Sequence, residues 1–220
     1  MATKVPVADA QSSTNSLGAA WLECLRRVVL HGERVPDGDM WLLEIRGYTC
    51  TLRSIEGNDQ LLDRYADRGR IELMYRKYAS LDILPEYKVS YGALLYDYHG
   101  VDQIDWVVHR LLDNRHTKSA TIVLHSPGEP ELSCLSMLDF KVRDDVLHMT
   151  AVYRSQNVYA SQPGNVLALR QVQEQVAAKV DAATGELTLH AISAHVYEPD
   201  LPAATAILAA YDAGQVARPG

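Results

Sequence analysis

Between positions 17 and 30 the apolar residues Leu22, Leu25, Val28 and Val29 recur at helical spacing, and His31-Gly32 closes the run. Residues 40–53 change period. Their Trp, Leu, Ile, Tyr and Thr in partial alternation predict a strand. Two short helices are expected at about 58–66 and 70–79, then a loop around Pro85 and an amphipathic helix over 101–112. The second half is more regular. After a short apolar run at 120–125, two alternating runs at 135–142 and 146–153 flank the polar Arg143-Asp144-Asp145 and predict a β-hairpin. Val166, Leu169, Val172, Val176 and Val180 give one apolar face to a long helix over 165–180. A strand over 187–196 and a helix over 203–211 follow. Helices and strands mix without a regular βαβ alternation, so the expected class is α+β.

Composition narrows this picture. With 220 residues, 47% of them hydrophobic, the chain can bury one substantial core, so 16–220 is expected to form a single domain. Residues 1–15 read as a flexible tail, because Ser12, Ser13, Thr14 and Asn15 offer little to bury. A formal net charge of −7 argues against a nucleic-acid-coating protein, so an anionic ligand would need a local cluster of cations. Cys24, Cys50 and Cys134 are odd in number and lack metal-ligand spacing, which predicts a reducing cytoplasm, no disulfide framework and no metal site. No segment approaches the roughly 20 apolar residues that cross a bilayer, and none resembles a signal h-region, so no membrane partner is expected.

Candidate chemistry gathers in the second half. Cys134 stands where the loop Ser126-Pro127-Gly128-Glu129-Pro130 delivers the chain into the hairpin, so its thiol can open into a cleft. A lone cysteine before a strand is more often a small buried hydrophobe, and a reactive one needs a surrounding that favours the thiolate. The hairpin supplies a candidate by returning Arg154 toward Cys134. Arg154-Ser155 pairs a guanidinium fork with a hydroxyl, a combination suited to anions, within what is otherwise a polar surface turn. Asn165 offers the donor and acceptor that a pyrimidine edge requires. His195 and Tyr197 are two apart on a predicted strand and share a face, where they can hold a sugar or simply pack in the core.

The order Cys134, Arg154-Ser155, Asn165, His195-x-Tyr197 resembles the thymidylate synthase family, its short archaeal-type branch above all. Ile71-Glu72-Leu73, Ser90-Tyr91-Gly92 and Asp102-Gln103-Ile104 extend the resemblance upstream, over about residues 17 to 200. It implies a mixed twisted sheet with helices on one face and a homodimer formed sheet to sheet. It also implies one-carbon transfer to C5 of a pyrimidine nucleotide, with 5,10-methylenetetrahydrofolate as co-substrate. In that scheme Cys134 attacks C6, the covalent route by which a thiolate activates an unreactive ring. Glu72 and Tyr91 act near the reacting carbons. Arg154 and Ser155 hold the phosphate, Asn165 reads the ring, and His195 and Tyr197 hold the ribose. Asn157 faces the folate, and Lys118 comes from the partner subunit.

The chain departs from the family pattern in several places. Pro-Cys-His becomes Ser133-Cys134-Leu135, and a downstream glutamine becomes Asp139. The aspartate that contacts folate becomes Asn157, exchanging a charged acceptor for a neutral amide. An arginine pair is reduced to Lys118 within His116-Thr117-Lys118-Ser119, and one ammonium lacks the fork geometry of two guanidinium groups. The tryptophan segment before Tyr91 is replaced by Ile83-Leu84-Pro85-Glu86-Tyr87, and Ala217-Arg218-Pro219-Gly220 differs from the apolar tail that closes the family's site. A more open site admits water to a reactive intermediate, so hydroxymethylation stands beside methylation as the expected outcome. A non-nucleotide or free-base acceptor and a non-catalytic nucleotide-binding relative are the alternatives.

Overall fold

In the computed structural model, the residues described are 11–14, 16–53, 55, 58–126 and 128–216. The expectations for residues 1–10 and 15, for Pro127 and for residues 217–220 lie outside them. In chain order the elements are β1 (Gln11–Thr14), α1 (Leu17–His31), β2 (Glu33–Asp37), β3 (Met40–Leu52), α2 (Gln60–Tyr65), α3 (Arg68–Ala79), α4 (Tyr91–Tyr96) and α5 (Gln103–Asp113). There follow β4 (Thr121–Val123), β5 (Leu135–Arg143), β6 (Val146–Tyr153), β7 (Gln156–Asn157), α6 (Gln162–Lys179), β8 (Ala183–Tyr197), a 3₁₀ turn (Glu198–Asp200) and α7 (Leu201–Val216).

The elements foreseen from periodicity are present, and others are added, among them β1, β2, α4 and the two-residue β7. Part of the predicted tail is a strand, since β1 lies parallel to β3 from Gln11↔Thr49 to Thr14↔Leu52. β2 pairs antiparallel with β3 and gives the latter a hairpin partner. α4 is a six-residue helix started by Ser90, whose hydroxyl accepts from the Ala93 amide at 3.0 Å. The β5–β6 turn is tight because Asp144 and Asp145 both adopt positive φ (49° and 58°), a conformation in which aspartate costs less than most residues.

Among the described residues eight strands form one mixed sheet in the order β1-β3-β8-β6-β5-β4, with β2 on β3 and β7 on β8. β3 and β8 run antiparallel from Leu42↔Tyr197 to Leu52↔Leu187, while β6 lies parallel to β8. The alternation legible in β5 and β6 resolves into two faces. Leu138, Phe140, Met149 and Tyr153 are at most 1% exposed and join the core that α1 and α6 cover. Each such side chain contributes roughly 1.5–3 kcal/mol by leaving water. Trp21 fastens α1 to the strand ends, its indole N–H donating to the Val158 carbonyl at 2.8 Å. The opposite face carries Thr49, Thr51, Thr150, Val152, Thr188 and His190, all half-buried, and the exposed Ile192.

Candidate active site

Cys134 is the last residue before β5, half-buried at the border of the core and unbonded to any other cysteine. Arg154, just past the end of β6, fixes the chain there. Its backbone N–H donates to the Cys134 carbonyl at 2.9 Å, Nε to the Ser133 carbonyl at 3.0 Å and an Nη to the Leu132 carbonyl at 2.8 Å. The hairpin therefore does what its register promised and brings Arg154 back to Cys134. One edge of the guanidinium holds the loop in shape, leaving part of its donor set for a ligand. Ser155 follows in the bend between β6 and β7.

Aromatic residues wall the thiol on its inner side. Tyr91 is 2% exposed, and its hydroxyl accepts from the Leu135 amide at 3.4 Å, one residue beyond Cys134. Tyr78 crosses Tyr91 edge to face at 4.7 Å and shares a 2.7 Å hydrogen bond with the Tyr153 hydroxyl. Burial pushes the Tyr78, Tyr91 and Tyr153 phenols upward, so all three are neutral donors. Gly92 allows this arrangement, because a Cβ there would run into the Ser80 carbonyl at the end of α3.

Lys77, on α3, enters the same space. It is only 7% exposed, and its Nζ lies 3.8 Å from the Tyr87 ring centroid and 4.1 Å from that of Tyr91. Burial lowers its pKa to about 8, while a thiolate at Cys134 acts in the opposite sense. Sequence reading passed over Lys77, Tyr78 and Asp37. One signal for Lys77 was available: it shares the inward stripe of α3 with Met74 and Tyr78.

The other wall comes from α6 and β8. Asn165 is 4% exposed, and its Oδ1 is buried without a hydrogen-bond partner. Gly164 beside it lets α6 press on α3, since a Cβ there would lie 2.7 Å from Met74 Cγ. His195 is 4% exposed with an unpartnered buried Nδ1, and burial pushes its pKa down, leaving a neutral imidazole. It meets Tyr197 edge to face at 5.1 Å. The Tyr197 hydroxyl donates to Asp37 at 2.7 Å, and burial with that carboxylate pushes the phenol up to about 12. Asn157 spends its Oδ1 on the Ala160 amide at 2.8 Å, which shapes the turn after β7 and leaves its amide N–H groups for other partners.

Two expected residues stand apart from this group. Glu72 is exposed on the side of α3 away from Met74, Lys77 and Tyr78. Lys118 is also exposed and lines an open basin of about 720 Å³ with Arg110, His116, Ser119 and Arg143, beyond the β4 edge of the sheet. Among the described residues no group of three or more His, Cys, Asp or Glu is placed to hold a metal ion, and no helix is long and apolar enough to cross a membrane.

Comparison with known proteins gives a consistent result. The protein-family model described as thymidylate synthase matches residues 41–214. Three archaeal relatives bear the name "Putative thymidylate synthase". That of Methanopyrus kandleri is 32% identical over 190 residues, covering 83% of this chain and 90% of the relative. That of Methanosarcina barkeri is 30% identical over 201 residues, covering 84% and 88%. That of Methanococcoides burtonii is 29% identical over 191 residues, with the same coverage of 84% and 88%.

Proposed function

The chain belongs to the thymidylate synthase family, and from that premise we propose that it transfers a one-carbon unit to C5 of a pyrimidine nucleotide through a covalent bond to Cys134. The observation that carries this reading is the convergence of Cys134, Arg154 and Tyr91 on one loop-strand junction through direct hydrogen bonds. The thiolate adds to C6 of the ring, and the C5–C6 π pair moves toward the C4 carbonyl oxygen. C5 becomes the carbon nucleophile that accepts the one-carbon unit. The folate co-substrate supplies that unit.

The remaining residues take binding and proton-holding roles. The free edge of Arg154 and the Ser155 hydroxyl face the phosphate. The orphaned Oδ1 of Asn165 accepts from a ring N–H, which relieves an unpaired buried oxygen at a benefit of about 1–3 kcal/mol. His195 and Tyr197 hold the sugar, and Asn157 meets the folate through its amide N–H groups. Glu72, exposed on the outer side of α3, faces away from the ring and takes no direct part. The open sheet face bearing Thr49, Thr150, Thr188, His190 and Ile192 pairs with the same face of a second copy. The Lys118 basin then completes the partner's phosphate site. The altered folate side, with Asn157 and no tryptophan segment, supports a hydroxymethyl product beside a methyl product.

A second reading, an unphosphorylated or free-base acceptor in the same site, is favoured by Asp37. Its carboxylate receives the Tyr197 hydroxyl and sets a negative charge where the sugar end of a nucleotide would lie. One experiment separates these possibilities. The protein is incubated with methylenetetrahydrofolate and C5-tritiated dUMP, dCMP, UMP, CMP, uracil or cytosine, and tritium release is followed. Release from a nucleotide supports the first reading and release from a base alone supports the second. Release from none removes both. Product mass then distinguishes methyl from hydroxymethyl.

A further inference from the structure

Lys77 is a buried cation without a carboxylate. α3 carries it at 7% exposure, and among the described residues no Asp or Glu forms an ion pair or hydrogen bond with it. An ammonium withdrawn from water at such cost is retained where something nearby needs its charge. Its surroundings are the faces of Tyr87 and Tyr91, at 3.8 and 4.1 Å, and those rings solvate it only in part. Tyr91 touches the amide of Leu135, so Lys77 is one aromatic ring removed from the Cys134 backbone.

The charged and titratable groups around the thiol can be named element by element. They are Lys77 and Tyr78 from α3, Tyr91 from α4, Tyr153 at the end of β6 and Tyr197 from β8. The four phenols are neutral and Arg154 is turned toward the carbonyls of Leu132 and Ser133. Arg154 spends one edge on those carbonyls, and Lys77 is the buried cation that α3 adds on the inner side.

We propose that Lys77 is the counter-charge of the Cys134 thiolate, a positioning residue that acts through the nucleophile and not on the pyrimidine. Ionisation of Cys134 sends its proton to solvent and leaves S⁻ within the field of the retained N–H₃⁺ of Lys77, across the Tyr91 ring. The pair lies in a space of low effective dielectric, where an opposite charge counts for more than it does in water. This deepens the one-carbon-transfer reading, but its chemistry needs neither nucleotide nor folate and is tested without them.

The test is alkylation of the full-length protein by neutral iodoacetamide and anionic iodoacetate, read by intact mass and peptide mapping. Cys24 and Cys50 are 0% and 2% exposed and stay unlabelled in the folded protein, so the reaction reports Cys134. In Lys77→Met the iodoacetamide rate at pH 7 is expected to fall about tenfold, the equivalent of one unit in the pH of half-maximal reaction, with Lys77→Arg restoring most of it. In the wild type, iodoacetate is expected to react faster relative to iodoacetamide than it does with a small neutral thiol. That preference should shrink in Lys77→Met to what the free edge of Arg154 alone supports. Identical pH profiles in the wild type and in a folded Lys77→Met would overturn the proposal. So would a wild-type iodoacetate preference equal to that of the small thiol, which requires no variant to fold. Unchanged alkylation together with intact tritium release would remove the counter-charge and leave the one-carbon transfer standing.

Discussion

Two groups of cations in this molecule follow opposite rules. Lys77 is buried between the rings of Tyr87 and Tyr91, whereas Lys118, Arg110 and Arg143 ring an open basin beyond the sheet edge. The first lies in a place where water screens little, so one charge acts strongly on one neighbour. The second lies in water, where each charge is worth little alone and several must converge on one ligand. The difference suggests a division of labour. In the proposed scheme the inner cation acts on its own chain's thiol, and the outer set acts on a ligand held by a second copy.

The sharpest way to break that comparison starts from the thiol itself. Cys134→Ala is expected to lower tritium release by about 10³-fold or more, since the covalent route is lost with the sulfur. Residual release near the wild-type rate would remove Cys134 from the chemistry and Lys77 with it. Next in size is Lys118→Met, for which we expect an approximately tenfold rise in KM that shrinks as salt is added. If the proposed site is shared between two copies, mixing Lys118→Met with Cys134→Ala should restore part of the activity, because a hybrid dimer would hold one site with both residues intact. No recovery in hybrids would place Lys118 outside the shared site.

Stability gives a further separation. The pKa of Lys77 is lowered to about 8 in the folded chain and returns to about 10.4 on unfolding. Between those values the unfolded chain binds more protons, so this group makes stability rise with pH over that window and costs most below it. Lys77→Met is therefore expected to stabilise the protein by about 1–3 kcal/mol at pH 7, with the gain fading by about pH 10.5, measured by urea denaturation at both pH values. Lys118→Met should leave stability within about 0.5 kcal/mol. The smallest effect is expected at Glu72. Its carboxylate faces away from the site, and Glu72→Gln should change tritium release by less than about threefold. A larger loss would show that the outer side of α3 reaches the reaction after all.

The contrast between the two cation sets also marks how far the chain could be read without coordinates. Strict alternation and a polar turn made the β5–β6 hairpin legible, and with it the meeting of Cys134 and Arg154. Apolar periodicity likewise placed α1, α3, α5 and α6. β1 and β2 were not legible, because strands bordering a sheet are held by backbone pairing with β3 and carry little pattern of their own. α4 is marked in the sequence by little beyond its Ser90 cap, because six residues after a Pro-containing loop show too little period to stand out. Lys77 was hidden for a different reason. A lysine on a helix normally reads as solvated, and its burial depends on Tyr87 and Tyr91, which reach it from the loop and helix that follow α3. Asp37 was likewise out of reach, since it meets Tyr197 across 160 residues of chain.

Gly164 sets a dimension of this molecule that no ligand-facing residue controls. It stands where α6 rests on Met74 and Ile71 of α3, the helix that carries Lys77 one turn further on, while its own neighbour is Asn165. Any larger residue at that position acts as a wedge, parting the helix with the ammonium from the helix with the amide. The gauge of the cleft is thus written in a single codon, and a lineage or a laboratory could adjust it there without altering one polar group that lines it.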